Sequence, residues 1–170
     1  MQYEIEDLIY AAGRQVQIAD FHLGELDRVL QTANPSRRPP VPVQAHFEGV
    51  VVSAMAAVDK VAQTVNSALN LGLSPSKLVQ GAFDQLRVVV PDVGSWFDQP
   101  LGRDLRRIRT RMVHYSYSKG NEAPWIIESA GTDYDGSRFL NDYAGAAVKY
   151  LWELEKFLPE IAKACAPDAI

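Results

Sequence analysis

Apolar residues recur every three or four positions along four long segments of the chain, the spacing that lines one face of an α-helix. The first segment covers residues 3–33 and the second covers 43–71. The third begins near Leu101, and the last covers 137–164. A shorter stripe that ends near residue 88 follows Ser74-Pro75, a pair typical of a helix start. The pattern predicts an all-α chain of four or five helices.

Prolines and small polar residues mark where these helices stop. Four prolines fall within residues 35–42, and because proline has no N–H to donate, this segment is predicted to be an extended connector. Asn70-Leu71-Gly72 is typical of a helix C-terminus. Residues 91–100 are rich in turn formers, and Trp96 and Phe97 are expected to fold back from this turn onto the helices.

The connection before the last helix differs in composition from the helical segments. Residues 120–136 show no helical spacing, and their extended piece, Trp125-Ile126-Ile127-Glu128, is typical of a short strand or hairpin arm. Pro159 is expected to kink or shorten the last helix. Long helices with short to medium connections pack as antiparallel bundles, with axes crossing at about 20°. We expect an antiparallel four- to five-helix bundle with a short irregular or β-hairpin-like insertion near 120–136.

Length and composition indicate one domain spanning residues 1–170. The chain is 47% hydrophobic and 22% charged, which is typical of a globular protein. Its net charge of −4 argues against a protein that coats nucleic acid with its whole surface, but allows a local basic site. The single cysteine, Cys165, cannot form an internal disulfide. With no basic, apolar leader and no run of 18 apolar residues, a cytoplasmic protein without membrane contact is expected.

Most catalytic motifs are absent from the sequence. It contains no glycine-rich phosphate loop, no dinucleotide fingerprint, no zinc-protease pair and no nucleophile elbow. His22 and His46 fall in the first two predicted helices and are interpreted as helix-surface or core histidines. A metal site would need them clustered with carboxylates, and their spacing shows no such cluster. We therefore predict no metal and no cofactor.

The segment 103–117 concentrates positive charge in a chain that is otherwise acidic. Guanidinium groups suit phosphate because they donate two parallel hydrogen bonds to it. A nearby imidazole can take or give a proton near neutral pH. Together these groups are sufficient for metal-free cleavage of an RNA phosphodiester. The cationic residues and the histidine of this segment are Arg103, Arg106, Arg107, Arg109, Arg111 and His114.

Helix geometry separates the two most interesting of these residues. Arg109 and His114 are five positions apart, which corresponds to about 140° around an ideal helix, whereas Arg111 is closer in direction to His114. Convergence would require the helix to end or bend near His114, or a second subunit to complete the site. The alternative is a basic helix face that pairs with acidic neighbours such as Asp104, with His114 capping the helix C-terminus.

Arg109-Thr110-Arg111-Met112-Val113-His114 resembles the Arg-x4-6-His motif of the HEPN superfamily, and the helical layout is similar to its small all-α domains. The resemblance implies a dimer and a metal-independent ribonuclease, commonly a toxin or defence component, although other members are inactive binding modules. By position Arg109 and His114 would be catalytic, with Asp104 and Arg111 in support. Thr110 departs from the Asn or Asp common after the motif arginine. Ser116 departs from the Tyr of one toxin subgroup.

Three hypotheses from different functional classes follow. In the first, the chain is a HEPN-type RNA endonuclease in which Arg103 and Arg107 contact phosphates and Tyr115 and Tyr117 stack on bases. In the second, it is a catalytically inactive HEPN-like module that binds a nucleotide or a partner protein. In the third, it is a helical-bundle interaction protein unrelated to that family. The alternative to base stacking by the tyrosines is a place in the core. The first implies a homodimer, RNA as substrate, and an antitoxin or nucleotidyltransferase partner.

Overall fold

The structure is a computed structural model that describes residues 2–32, 39–115 and 136–166, with the side chains of 5–32, 39–110 and 138–166. This part of the chain contains six helices and no strand, which confirms the predicted all-α helical bundle. The insertion expected near 120–136 lies outside the described residues, apart from its last residue, which starts a helix. The helices are α1 (Gln2–Leu30), α2 (Val41–Ala68), α3 (Leu78–Val89), α4 (Pro91–Phe97), α5 (Pro100–Tyr115) and α6 (Gly136–Ala164).

Helix α2 lies at the centre of the bundle, where it contacts α1, α3, α5 and α6. Valine is an indifferent helix former in isolation, so this helix depends on burial for its stability. Each fully buried valine or phenylalanine contributes about 1.5–3 kcal/mol relative to an exposed one. The buried side chains of α2 are Val43, Phe47, Val50, Val51, Ser53, Ala54, Met55, Ala57, Val58, Val61, Ala62, Thr64 and Val65.

The apolar character of α2 raises the question of whether this helix could cross a membrane. Among the described residues α2 is the one helix long and apolar enough to cross a bilayer, judged by length and composition alone. Half of its most apolar window (50%) is buried inside the bundle. The core helix of a globular bundle passes the same test, so the finding is weak evidence either way.

The ends of α1, α2 and α3 differ slightly from the predicted limits. Helix α1 stops at Leu30, three residues early, and α2 begins at Val41, because Pro42 is tolerated in a first helical turn. The stop predicted at Asn70-Leu71-Gly72 is confirmed: Asn70 (φ 51°) and Gly72 (φ 62°) both adopt the left-handed conformation that ends helices. The start predicted at Ser74-Pro75 is wrong, since residues 75–77 form a turn and α3 begins at Leu78.

Residues 91–97, predicted to be a turn, form the short helix α4. Pro91 supplies a helical φ angle at its first position, and burial of three side chains outweighs the poor helix propensity of this sequence. Trp96 and Phe97 fold back onto the bundle, as predicted. The indole N–H of Trp96 donates to the Tyr150 carbonyl oxygen over 2.8 Å, and the two rings stack at 4.2 Å. Phe97 stacks on Phe83 at 4.2 Å.

Helix α6 is continuous from Gly136 to Ala164 and packs against α1 and α2. Pro159 lies on its exposed side and does not stop it, so the expected shortening is wrong. The buried stripe of α6 continues past the proline to Ile161, and this packing holds the last turn in place. The same stripe brings Tyr143 and Tyr150 to the side of the bundle that faces α5.

Candidate nucleic-acid interface on α5

Helix α5 lies on the surface of the bundle, held by a narrow apolar stripe. Leu105 and Ile108 are buried and Leu101 is half-buried, so this side of the helix faces α2 and α6. Gly102 packs so closely against the Tyr150 ring that a methyl group at this position would overlap it. The backbone is helical through Tyr115, the last described residue before 136. The helix therefore does not end before His114.

Arg103 and Arg107, the two arginines predicted to contact RNA, lie on the solvent-exposed face of α5. They are one turn apart, so their guanidinium groups can reach neighbouring phosphates along one strand. Arg107 has a side-chain exposure of 58% and approaches Asp104 at 4.0 Å, the limit of an ion pair. An exposed pair of this kind contributes about 0–1 kcal/mol to folding and leaves Arg107 available to a ligand.

Arg106 has a different role from its neighbours, which the sequence did not reveal. Its guanidinium lies 4.0 Å from the centre of the Phe97 ring and donates a hydrogen bond to the Phe97 carbonyl oxygen over 3.3 Å. Burial lowers the pKa of Arg106 from its ordinary value, and the nearby Tyr150 hydroxyl partly offsets this. Arg106 fastens α5 to α4 and α6 and does not belong to the exposed basic face.

Arg109 lies on the flank of α5 that faces α2. Its Nη2 atom lies 3.5 Å from Oδ2 of Asp59, with side-chain exposures of 48% and 30% respectively. Burial raises the pKa of the Asp59 carboxyl, while the positive charges of Arg109 and Lys60 act in the opposite direction. Sequence reasoning missed Asp59. The available signal was that Asp59 is the first charged residue after the uncharged run 49–58 of a core helix.

The remaining predicted residues can be placed only by the backbone, or not at all. Arg111, His114 and Tyr115 belong to α5, but their side chains lie outside the described part, as does the whole of Tyr117. At about 100° per residue, position 114 has nearly the same direction around the helix axis as positions 103 and 107. It differs by about 140° from position 109. The backbone register of one chain therefore does not bring positions 109 and 114 onto one face.

Tyr143 of α6 lies close to the polar residues of α5, although the sequence did not indicate it as a site residue. Its ring packs edge-on against Phe47 at 6.1 Å, and its hydroxyl has no hydrogen-bond partner among the described residues. Burial and, to a smaller degree, the negative charge of Asp104 raise its pKa, while Arg107 opposes this. Its apolar helical spacing predicted a core residue and gave no signal of the polar neighbours Asp104 and Arg107.

No group of three or more potential metal ligands occurs among the side chains that the structure describes. His22 and His46, interpreted as helix-surface or core histidines, contact each other between α1 and α2. The site on α5 therefore consists of the exposed Arg103 and Arg107, the paired Arg109 and Asp59, and Asp104 beside Tyr143. Comparison of the chain with protein-family models, with curated proteins and with solved structures found no match.

Proposed function

We propose that the chain is a metal-independent RNA endonuclease of the HEPN type, with Arg109 and His114 as its catalytic residues. The observation that supports this best is the placement of both motif positions on one surface helix with exposed arginines, in a chain of net charge −4. The proposal places the enzyme in the cytoplasm as a toxin or defence component, with an antitoxin or nucleotidyltransferase as its protein partner.

RNA binding is assigned to the exposed face of α5. Arg103 and Arg107 neutralise phosphates of the RNA backbone, and Tyr115 and Tyr117 are proposed to stack on its bases. Asp104 and Arg111 support the site. Because the contacts to RNA are largely electrostatic, binding weakens as the salt concentration rises. The single-stranded form is favoured as substrate because its bases are open to stacking.

Cleavage follows from the chemistry of the two catalytic groups. The neutral imidazole of His114 accepts the proton of a ribose 2′-hydroxyl, and the 2′-oxygen attacks the adjacent phosphorus. The bond from phosphorus to the 5′-oxygen breaks, and this oxygen leaves with a proton donated by the imidazolium of His114. The guanidinium of Arg109 stabilises the additional negative charge on the phosphate. The products are a 2′,3′-cyclic phosphate and a 5′-hydroxyl.

Two copies of the chain are needed to assemble such a site. Positions 109 and 114 of one helix differ by about 140° in direction, so one of the two side chains of each site is proposed to come from the second copy. A two-fold symmetric dimer in which two α5 helices face each other brings Arg109 of one copy towards His114 of the other. RNA would then lie in the cleft between the helices.

The proposal is tested with single-stranded RNA in buffer that contains EDTA. Wild-type protein should cleave it and leave cyclic-phosphate ends, whereas Arg109→Ala and His114→Ala should lose cleavage and keep the circular dichroism of a folded bundle. Arg28→Ala is the matched control, because it removes an exposed arginine from α1, far along the sequence from α5. Varied RNA left intact by the wild-type protein would contradict the proposal.

A second candidate is a catalytically inactive module of the same type, which binds a nucleotide or a partner protein. The observation that favours it is the ion pair between Arg109 and Asp59, because it engages the proposed catalytic arginine within its own chain. This candidate predicts salt-dependent RNA or nucleotide binding without cleavage. It also predicts that Asp59→Ala, which releases Arg109, leaves the protein without nuclease activity.

A further inference from the structure

Two histidines from different helices meet where α1 packs against α2. The Nδ1 atoms of His22 and His46 are 3.2 Å apart, and the rings are tilted by 48° with centroids 5.5 Å apart. Both side chains are half-buried where the two helices pack. Twenty-four positions separate the residues in sequence, which is why their spacing gave no sign of a pair.

The separation of these nitrogens matches that of two ligands on one metal ion. A zinc–nitrogen bond is about 2.0–2.1 Å, so two imidazole nitrogens at a tetrahedral angle are about 3.3 Å apart. Imidazole is a preferred ligand of Zn²⁺, Cu²⁺ and Ni²⁺. We propose that Nδ1 of His22 and Nδ1 of His46 bind one Zn²⁺ ion, with water molecules at the remaining coordination positions.

The absence of a side chain at Gly49 of α2 makes room for the ring of His22. A methyl group added at Gly49 would lie 2.6 Å from Cγ and Cδ2 of His22, closer than atoms can approach. Gly49 follows His46 by three residues, so both lie on the side of α2 that faces α1. The absent side chain lets the imidazole of His22 rest against the α2 backbone, next to His46. A ring held in this way is preorganised for a ligand.

The charge around the pair suits a cation. Glu25 follows His22 by one turn of α1, and its carboxylate is close enough to His46 for an electrostatic interaction between them. Glu25 is held by Arg28, whose Nη2 atom lies 2.6 Å from Oε2. A negative charge in this position, one turn from His22, favours a bound divalent cation.

The proposed ion has a structural role that is separate from cleavage. His46 precedes Asp59 by thirteen residues on α2, about 20 Å along the helix axis, so the pair is remote from Arg109. An ion shared by His22 and His46 links α1 to α2 and binds the folded chain more tightly than the unfolded one. Zinc should therefore stabilise the bundle, and the inference does not depend on the proposed nuclease activity.

The first experiment measures zinc binding by the full chain after removal of any affinity tag and dialysis against EDTA. Titration with ZnCl₂ should show one ion per chain, and the thermal midpoint of unfolding should rise in its presence. Loss of an outer partner of a metal ligand already costs about 10- to 100-fold in affinity, so His22→Ala and His46→Ala should each lose about 100-fold or more. His114→Ala is the matched control and should bind zinc as the wild type does.

The second experiment identifies which imidazole nitrogen atoms bind the zinc ion. Long-range ¹H–¹⁵N spectra of the imidazole rings should show the Nδ1 resonances of His22 and His46 shifting together up to one equivalent of ZnCl₂. A chain that binds no zinc would overturn the proposal, and so would one whose zinc affinity and thermal midpoint are unchanged in His22→Ala and His46→Ala. In either case the contact is a hydrogen bond between two imidazoles, with one ring as donor.

Discussion

Helices α2 and α5 belong to the same bundle but bury very different shares of their surface. Helix α2 contacts four other helices and is apolar on most sides, with Asp59 and Lys60 as charges near its middle. Among the side chains of α5 that the structure describes, residues 100–110, a narrow stripe is buried, and Arg103, Arg107 and Arg109 are exposed. Stability therefore resides mainly in α2, and residues 100–110 of α5 can carry charge because few of them are needed for packing.

The largest effect that separates the two helices is expected at Phe47. Its side chain is 1% exposed and sits within the α2 core, so Phe47→Ala should lower the free energy of unfolding by about 3–5 kcal/mol. Urea unfolding followed by circular dichroism measures this change. A loss of less than about 1 kcal/mol would mean that the core collapses around the gap and that α2 is less central than described.

A smaller effect is expected at Arg106, the arginine of α5 that packs inward. Arg106→Ala removes the guanidinium from the Phe97 ring and a hydrogen bond, and should lower the free energy of unfolding by about 1–2 kcal/mol. The matched variant Arg103→Ala removes an exposed arginine one turn away and should change it by no more than about 0.5 kcal/mol. Equal effects from the two variants would contradict the inward packing of Arg106 and the exposure of Arg103.

The contact between the two helices should show a pH dependence that arises from Asp59. Because burial raises the folded pKa of Asp59 above its ordinary value of 3.8, the protonated carboxyl is the form that the fold favours. Its contribution to stability is present below pH 3.8 and is lost as the pH rises through the raised pKa. The wild type should therefore lose stability relative to Asp59→Asn over this window. A difference that does not vary with pH would exclude this role of Asp59.

The smallest effect on stability, with a clear effect on binding, is expected for Arg103→Ala combined with Arg107→Ala. The free energy of unfolding should change by no more than about 0.5 kcal/mol, because both side chains are exposed. RNA affinity should fall similarly for all sequences, and the slope of log affinity against log salt should decrease by about 1.4 for single-stranded RNA. Fluorescence anisotropy at several salt concentrations measures both quantities. An unchanged slope would mean that RNA does not bind at Arg103 and Arg107 on the exposed face of α5.

Sequence periodicity was sufficient for the long helices but not for α4. An apolar stripe that repeats over many helical turns determines which face of the helix is buried, as in α2 and α6. Residues 91–97 contain Asp92, Gly94 and Ser95, whose local preference is a turn, and only the burial of Trp96 and Phe97 against α3 and α6 makes the segment helical. Local preference therefore gave the wrong answer where contacts distant in sequence decide the structure.

The candidate site was predicted only in part, for the same reason. The sequence showed that arginines cluster on α5, and helix geometry showed that positions 109 and 114 diverge. It could not show that Arg106 packs on Phe97, or that Arg109 reaches Asp59, fifty positions earlier in the chain. The meeting of His22 with His46 likewise depends on how α1 lies against α2. Partners on other helices are set by packing, which one-dimensional spacing does not contain.

The most direct test of the proposed nuclease mixes two inactive variants, Arg109→Ala and His114→Ala, with RNA in EDTA. If each site combines Arg109 of one copy with His114 of the other, half of the dimers are mixed and one of their two sites is intact, so about a quarter of wild-type cleavage should return. Each variant alone should remain inactive. A mixture as inactive as its components, alongside an active wild type, would contradict a site shared between two α5 helices.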